Sequence, residues 1–92
     1  MWVFSMDRTI GSKAQERLGG QLRRLRARAG LTQSALAERL GERQVFVSEY
    51  ERGQRRIDVL ELRAIGVALG RPAAAVVAQL DALDALLAAL GE

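Results

Sequence analysis

Cysteine and histidine are both missing from this chain of 92 residues. Their absence excludes disulfide bonds and the common zinc sites, which are built on those side chains. We therefore expect neither a metal nor another cofactor. None of the four serines stands beside an evident base, and the acidic residues form no recognisable pair, so enzyme activity is not expected either.

Long apolar segments are also missing. No run approaches the ~20 residues that a membrane helix requires. The apolar start, MWVFSMDRT, lacks both the basic and the long apolar segment of a signal peptide. We therefore expect a cytoplasmic protein with no membrane partner, and the length of 92 residues predicts one small domain.

Residues 1–12 show no helical period, yet they contain three large apolar side chains, Trp2, Val3 and Phe4. Such side chains are costly to leave in water. We therefore expect residues 1–12 to form an N-terminal arm that packs in some way. Packing on the core, crossing to a partner subunit and a disordered tail all stay open.

The charges are distributed unevenly along the chain. Residues 1–57 carry 12 basic and 6 acidic side chains, a balance of +6, whereas residues 58–92 carry 2 and 5, a balance of −3. A basic segment suits a surface that faces nucleic-acid phosphates. It would also fit a solvated arginine-rich face, so the charge alone decides nothing.

The stretch 31–53, LTQSALAERLGERQVFVSEYERG, lies within the basic part and predicts two short helices joined by a turn. Helical spacing places the first helix at about residues 33–40, after Thr32 as N-cap, and the second at about residues 43–52. The side chains expected to face inward are Leu36, Ala37, Leu40, Val47, Tyr50 and, in part, Phe46.

Three residues of this stretch have the layout of a helix-turn-helix that reads DNA. Ala37 is small enough for two helices to cross closely, Gly41 can adopt the left-handed turn, and Val47 fills the angle between the helices. The spacing therefore predicts that the second helix enters a DNA major groove.

Two further helices flank this pair. Ser12 can cap a helix over residues 13–29, and Asp58 can cap another over residues 59–69. Gly19 and Gly20 weaken the middle of the first by up to ~1 kcal/mol each relative to alanine. The apolar stripes of the two helices are Leu18, Leu22, Leu25 and Ala29 in one, and Leu62, Ile65 and Leu69 in the other.

A fifth helix is predicted over residues 72–90, with Pro72 at its start. Its apolar residues recur at heptad spacing, as in a coiled-coil seam. We expect residues 72–92 to form a dimerisation helix, and the alternative is an ordinary core helix. The predicted interface consists of Val76, Leu80, Leu83, Leu87 and Leu90, widened by Val77 and Leu86.

Residues 18–70 resemble the Cro/C1-repressor type of helix-turn-helix, the XRE family. The hallmarks present are Leu31-Thr32-Gln33, Ala37, Gly41, Val47-Ser48, Glu51-Arg52-Gly53 and Ala68-Leu69-Gly70. The resemblance implies an all-α, five-helix, lambda-repressor-like fold with the DNA-binding domain at residues 13–71. The last helix extends beyond the family pattern.

The resemblance also implies roles for individual residues. Base edges would be contacted by Gln44, Val45, Ser48 and Glu49. An amide such as that of Gln44 suits adenine, and the methyl groups of Val45 suit thymine. The phosphate contacts would be Gln33, Arg43, Arg52, Arg55 and Arg56. Glu51 would form a structural ion pair with Arg26.

Some positions depart from the family pattern or allow a second interpretation. Ala35 replaces the glutamate that often completes a capping box. Glu49 stands where a basic or neutral residue is common; its carboxylate repels phosphate but can accept from a cytosine amino group. Gln33 could serve only as a local cap, and Phe46 could belong to the core or touch the DNA backbone.

The leading functional hypothesis is sequence-specific binding of double-stranded DNA by a homodimer that regulates transcription from a palindromic operator. The alternative is an antitoxin-like module that binds a small protein partner and regulates its own operon. The apolar N-terminus and the last helix would serve such a partner. The sequence does not indicate the operator, the direction of regulation or a sensed signal.

Overall fold

The computed structural model describes residues 12–91. These residues form five helices and no strand. In chain order they are α1 (Lys13–Arg28), α2 (Gln33–Leu40), α3 (Gln44–Glu51), α4 (Val59–Leu69) and α5 (Ala73–Ala89). The predicted all-α, five-helix fold is confirmed. Predicted and observed helix ends agree within one residue, because cap and glycine signals mark most of them.

Side-chain caps define the start of three helices. The hydroxyl of Ser12 accepts from the backbone N–H of Gln15 at 3.2 Å, and that of Thr32 accepts from Ala35 at 3.0 Å. Asp58 and Glu61 form a reciprocal capping box at α4. Each side chain accepts from the other's backbone N–H, so two otherwise unpaired donors are satisfied.

One hydrophobic core joins all five helices. α2 and α3 pack against each other around Ala37, which is buried, and Gly41 ends α2 in the left-handed conformation at φ 68°. A residue with a side chain would be strained at that φ. The core consists of Leu22, Leu25, Leu36, Ala37, Phe46, Val47, Tyr50, Leu62, Ile65 and Val76.

Gly19 lets α1 approach the end of α3 closely. A Cβ atom placed on it would collide with the backbone oxygen of Tyr50 and would lie 2.6 Å from that of Glu51. The neighbouring Gly20 has no such constraint, since the nearest atom to a Cβ there is the Arg24 guanidinium at 3.6 Å. Gly19 is therefore required by packing, whereas Gly20 carries only the helix penalty of a glycine.

α5 packs on α1, and this contact corrects one sequence prediction. Val76 is 1% exposed and belongs to the core of its own protomer, so its assignment to a dimer interface is wrong. The buried Gln21 side chain reinforces the contact by donating to the backbone oxygen of Val76 at 3.0 Å and to Gln79 Oε1 at 2.9 Å. At Val76 the heptad spacing therefore reflects burial in the core of the same protomer.

The remainder of the predicted seam is partly accessible. Leu80, Leu83 and Leu87 are half-buried, and Leu90 is exposed. Leu83 borders α1, and nearby Arg17 Nη1 donates to Asp84 Oδ1 at 3.2 Å. The interface role of these four leucines stays a prediction, and so does the packing of the N-terminal arm, of which residues 1–11 lie outside the described part.

No single helix within residues 12–91 is long and apolar enough to cross a membrane. α4 and α5 reach that length and composition only as a pair, and they are bent by 101° at the break between them. The same residues contain no group of three acidic side chains close enough to hold a metal ion.

Candidate nucleic-acid interface

The exposed face of α3 carries the residues predicted to contact bases. Gln44 lies at the first turn with its side chain exposed, and Val45 is 47% exposed beside it. Ser48 and Glu49 follow on the second turn and are half-buried. The opposite face is anchored by Val47 and Tyr50, which are fully buried, so the helix presents a polar surface from a fixed position.

Phe46 belongs to the core. It is 7% exposed, and its ring packs edge-on against Tyr50 with the ring centroids 5.3 Å apart. Of the two interpretations that the sequence left open, burial excludes a contact with the DNA backbone. Burial also raises the pKa of the Tyr50 hydroxyl far above its usual value, so Tyr50 remains neutral.

A chain of hydrogen bonds connects the exposed start of α3 with the interior. Gln44 Nε2 donates to Gln33 Oε1 at 2.6 Å, and Gln33 Nε2 donates to Glu51 Oε1 at 2.9 Å. The three side chains come from the first turns of α2 and α3 and from the end of α3. The orientation of the Gln44 amide is therefore fixed by protein contacts.

Arg26 holds the inner end of that chain. Its Nε donates to Glu51 Oε2 at 2.7 Å and its Nη2 donates to Glu51 Oε1 at 3.0 Å, a bidentate pair in which the carboxylate is 2% exposed. A third bond runs from Nη1 to the backbone oxygen of Leu31 at 2.8 Å. The hydrogen bonds to the Glu51 carboxylate raise the pKa of Arg26. This pair links α1, α3 and the loop before α2.

The arginines predicted to contact phosphate have different environments. Arg43 immediately precedes α3. Its side chain is exposed and makes no capping hydrogen bond. Arg52, at the other end of α3, is also exposed, and its Nε donates to the Ser48 backbone oxygen at 3.3 Å. Arg56 is exposed in the loop that follows. Arg43 thus precedes α3 directly, and Arg52 and Arg56 follow it.

Arg55 is already bound within the protein. Its Nη2 donates to Glu61 Oε2 at 3.0 Å, its Nη1 donates to Glu61 Oε1 at 3.3 Å, and its guanidinium carbon lies 4.5 Å from the centre of the Phe46 ring. Gln15 Nε2 donates to its backbone oxygen at 2.9 Å. Arg55 thus fastens the loop to α1, α3 and α4. A phosphate contact would have to compete with Glu61.

The comparisons with known proteins agree with this geometry. A family model described as helix-turn-helix matches residues 22–76, more than half of the chain. The chain belongs to the XRE-type helix-turn-helix family. The sequence had indicated this family through its spacing, and the match confirms it. Its members are DNA-binding transcription regulators, and the lambda-repressor-like fold is confirmed with it.

Solved structures of XRE-type regulators superpose on most of the chain. The clp gene regulator ClgR from Corynebacterium glutamicum is 33% identical over 88% of this chain and 86% of its own, with a TM-score of 0.76. An XRE-family like protein from Pseudomonas syringae is 37% identical over 76% and 85%, with a TM-score of 0.70. The controller protein C.AhdI from Aeromonas hydrophila is 29% identical over 71% and 98%, with a TM-score of 0.68. None of the curated proteins matches the chain.

Two features of this XRE-type domain were missed at the sequence level. The link between Gln44 and Gln33 depends on the crossing of α2 and α3, which spacing alone does not give. The pairing of Arg55 with Glu61 had a signal, because an aspartate three residues before a glutamate indicates a capping box. That box places the Glu61 carboxylate at the start of α4, within reach of the loop.

Proposed function

We propose that the chain binds double-stranded DNA sequence-specifically as a homodimer and regulates transcription from a palindromic operator. One observation carries the proposal. An exposed amide, Gln44, is held at the first turn of α3 by hydrogen bonds that lead through Gln33 to a buried ion pair. A side chain oriented before binding loses less entropy on contact with a base.

Gln44 has the free groups that adenine recognition requires. One N–H of its amide is used by Gln33, which leaves the second N–H and the oxygen for N7 and the N6 amino group of an adenine. Val45 lies next to it and exposes methyl groups that suit a neighbouring thymine. Ser48 and Glu49, one turn later, would contact the following base pair, where the carboxylate favours a cytosine amino group.

Phosphate contacts would set the position of α3 in the groove. Gln33 lies in the first turn of α2, where unpaired backbone N–H groups attract an anion. Arg43 and Arg52 lie at the two ends of α3, and Arg56 lies just beyond it. We assign these four residues the contacts with the DNA backbone, Gln33 through the N–H groups of its helix end and the three arginines through their side chains. Arg55 is left out, because its guanidinium is bound by Glu61.

A homodimer would place two copies of α3 about 34 Å apart, on successive major grooves of one face of the DNA. The surface of α5 and its C-terminal end supports a homodimer, since large apolar side chains there are exposed to solvent. Val77 is 43%, Leu86 is 56% and Leu90 is 73% exposed. We assign the interface to this exposed surface, together with the half-buried Leu80, Leu83 and Leu87.

Selection of bound sites from random double-stranded DNA tests the proposal. We expect an inverted repeat whose half-sites are centred one helical turn apart. Enrichment of sequences that share no inverted repeat would contradict the proposed operator binding. Sedimentation of the protein alone tests the homodimer: a chain that is monomeric alone and is recovered with a second small protein would favour the antitoxin-like alternative.

A further inference from the structure

The outer face of α4 is apolar although it faces solvent. Leu60 is 73% exposed and Val67 is 76% exposed, and Ala64 lies between them on the same stripe at spacings of four and three. Single exposed apolar residues are ordinary, whereas a contiguous stripe marks a surface that another molecule covers. Nothing in the DNA-binding role assigned to α3 uses this stripe.

The stripe forms one wall of a groove with the end of α2. The groove has a volume of about 540 Å³, and Leu40 and Ala68 add to its apolar lining. Arg39 and Arg63 also line it, and Arg39 Nη1 reaches across from α2 to the backbone oxygen of Ala68 at 3.4 Å. The groove is therefore lined by apolar side chains together with two arginines.

α5 has the complementary surface. One face of this helix carries a recess of about 490 Å³ lined by Asp81, Asp84, Ala85 and Ala88. The alanine side chains of the recess leave room for large apolar side chains, and its two carboxylates can form ion pairs with arginines. Asp84 also accepts from Arg17 of the same protomer at 3.2 Å, whereas Asp81 is exposed. Large apolar residues and Arg63 thus line the α4 side of the groove, and alanines and aspartates line the α5 recess.

We infer that the α4 groove is occupied by α5 of a second copy of this chain, with Leu60 and Val67 in the alanine recess and Arg63 beside Asp81 of the other protomer. The inference rests on the proposed homodimer and adds a contact of α4 to the interface proposed on α5. Two α4 grooves facing each other would instead bring four arginines together, a like-charge arrangement that disfavours binding. In a two-fold dimer the α4–α5 contact occurs twice.

A charge exchange in the full chain tests this pairing by sedimentation. Arg63→Glu and Asp81→Arg should each weaken the homodimer about tenfold, since each places like charges together at both contacts. An equimolar mixture of the two variants should recover dimers, because every groove then meets an opposite charge. Val67→Glu should dissociate the dimer, whereas Val59→Glu, on the same helix, 77% exposed and outside the groove, should not.

Each of the other outcomes contradicts one part of the inferred dimer: its existence, the α4 contact or α5 as the occupant. A wild-type chain that is monomeric contradicts the homodimer itself. If wild type is a dimer, loss of dimer in Leu90→Glu but not in Arg63→Glu or Val67→Glu overturns the α4 contact and leaves the α5 interface. Loss in Val67→Glu without an effect of Asp81→Arg overturns α5 as the occupant. Circular dichroism of each variant confirms that loss of dimer is not loss of fold.

Discussion

At the scale of single residues, two adjacent glycines have opposite roles. Gly19 touches backbone atoms of α3, which cannot move away without displacing the helix, whereas Gly20 faces open space apart from the flexible Arg24 side chain. Helix propensity treats the two positions alike, so only packing separates them. They form a matched pair for testing the contact between α1 and α3.

We expect Gly19→Ala to lower the free energy of unfolding by about 2 kcal/mol or more, a typical cost of overpacking a core. Gly20→Ala should raise it by about 0.5–1 kcal/mol, the helix preference for alanine over glycine. Chemical denaturation of both variants gives the two values. Equal effects in the same direction would contradict the close approach of α1 to α3.

Gln44 and Arg43 are neighbours with different proposed partners. Gln44→Ala should weaken binding by about 1–3 kcal/mol at the base pair it contacts and relax the preference there. Arg43→Ala should instead weaken binding to all sequences alike, since phosphates carry no base identity. Titrations against the selected operator and its single-base variants separate the two patterns. Identical patterns would show that base and phosphate contacts have been assigned wrongly.

At the scale of elements, the loop between α3 and α4 depends on one carboxylate. Glu61 accepts from the Arg55 guanidinium and from the backbone N–H of Asp58, and these bonds lower its pKa below the ordinary 4.5. A lowered pKa stabilises the folded state at pH values above 4.5, and this contribution is lost as the pH falls through the folded-state pKa.

Glu61→Gln tests this contribution, because the amide oxygen can still accept from Asp58 while the charge is gone. We expect the variant to be less stable than wild type at pH 7, by about 1 kcal/mol or less because the pair is partly exposed. The difference should shrink as the pH is lowered through 4.5. Thermal unfolding across this range measures it, and a constant difference would contradict the role of the charge.

The helices themselves could be predicted from the sequence, because local signals determine them. Thr32, Gly41 and Asp58 mark the ends of α2 and α4, and the apolar spacing indicates their inner faces. The surface against which α5 packs could not be predicted in the same way. Its heptad pattern is the same whether the stripe faces a partner or α1, and only the position of α1 shows that Val76 is buried.

The candidate site was predictable in composition and less so in organisation. The resemblance to XRE-type domains indicates Gln33, Gln44 and Glu51, but their hydrogen-bonded chain depends on how α2 crosses α3. Arg55 is the clearest case in which the sequence position does not indicate the contacts. Its sequence position beside the recognition helix suits phosphate, yet tertiary packing places it on the Phe46 ring and against Glu61.

At the scale of the whole molecule, the basic half of the chain should make binding salt-dependent. Each phosphate that an arginine neutralises releases counterions, so the logarithm of the association constant falls linearly with the logarithm of salt concentration. Arg43→Ala should reduce that slope by about 2, one for each protomer of a dimer. Titrations at several salt concentrations measure the slope. A slope unchanged by the substitution would remove Arg43 from the phosphate contacts.

In the proposed dimer each copy of α3 would contact one half-site, and the second copy would double the contact with DNA. The exposed stripe of α4 and the exposed face of α5 lie outside the reading helix, so dimer contacts and base contacts can be altered separately. A variant that no longer dimerises should keep the preferences of a half-site while losing affinity for the full operator.

A base-by-base substitution scan of the selected operator would show whether two copies of α3 contact successive major grooves. The binding free energy of the wild-type chain is measured for every single substitution at one salt concentration. We expect losses of binding free energy of about 1–3 kcal/mol that are confined to two inverted half-sites centred about 10 base pairs apart. Losses spread evenly along the DNA, or confined to one half-site, would contradict binding by two copies of α3.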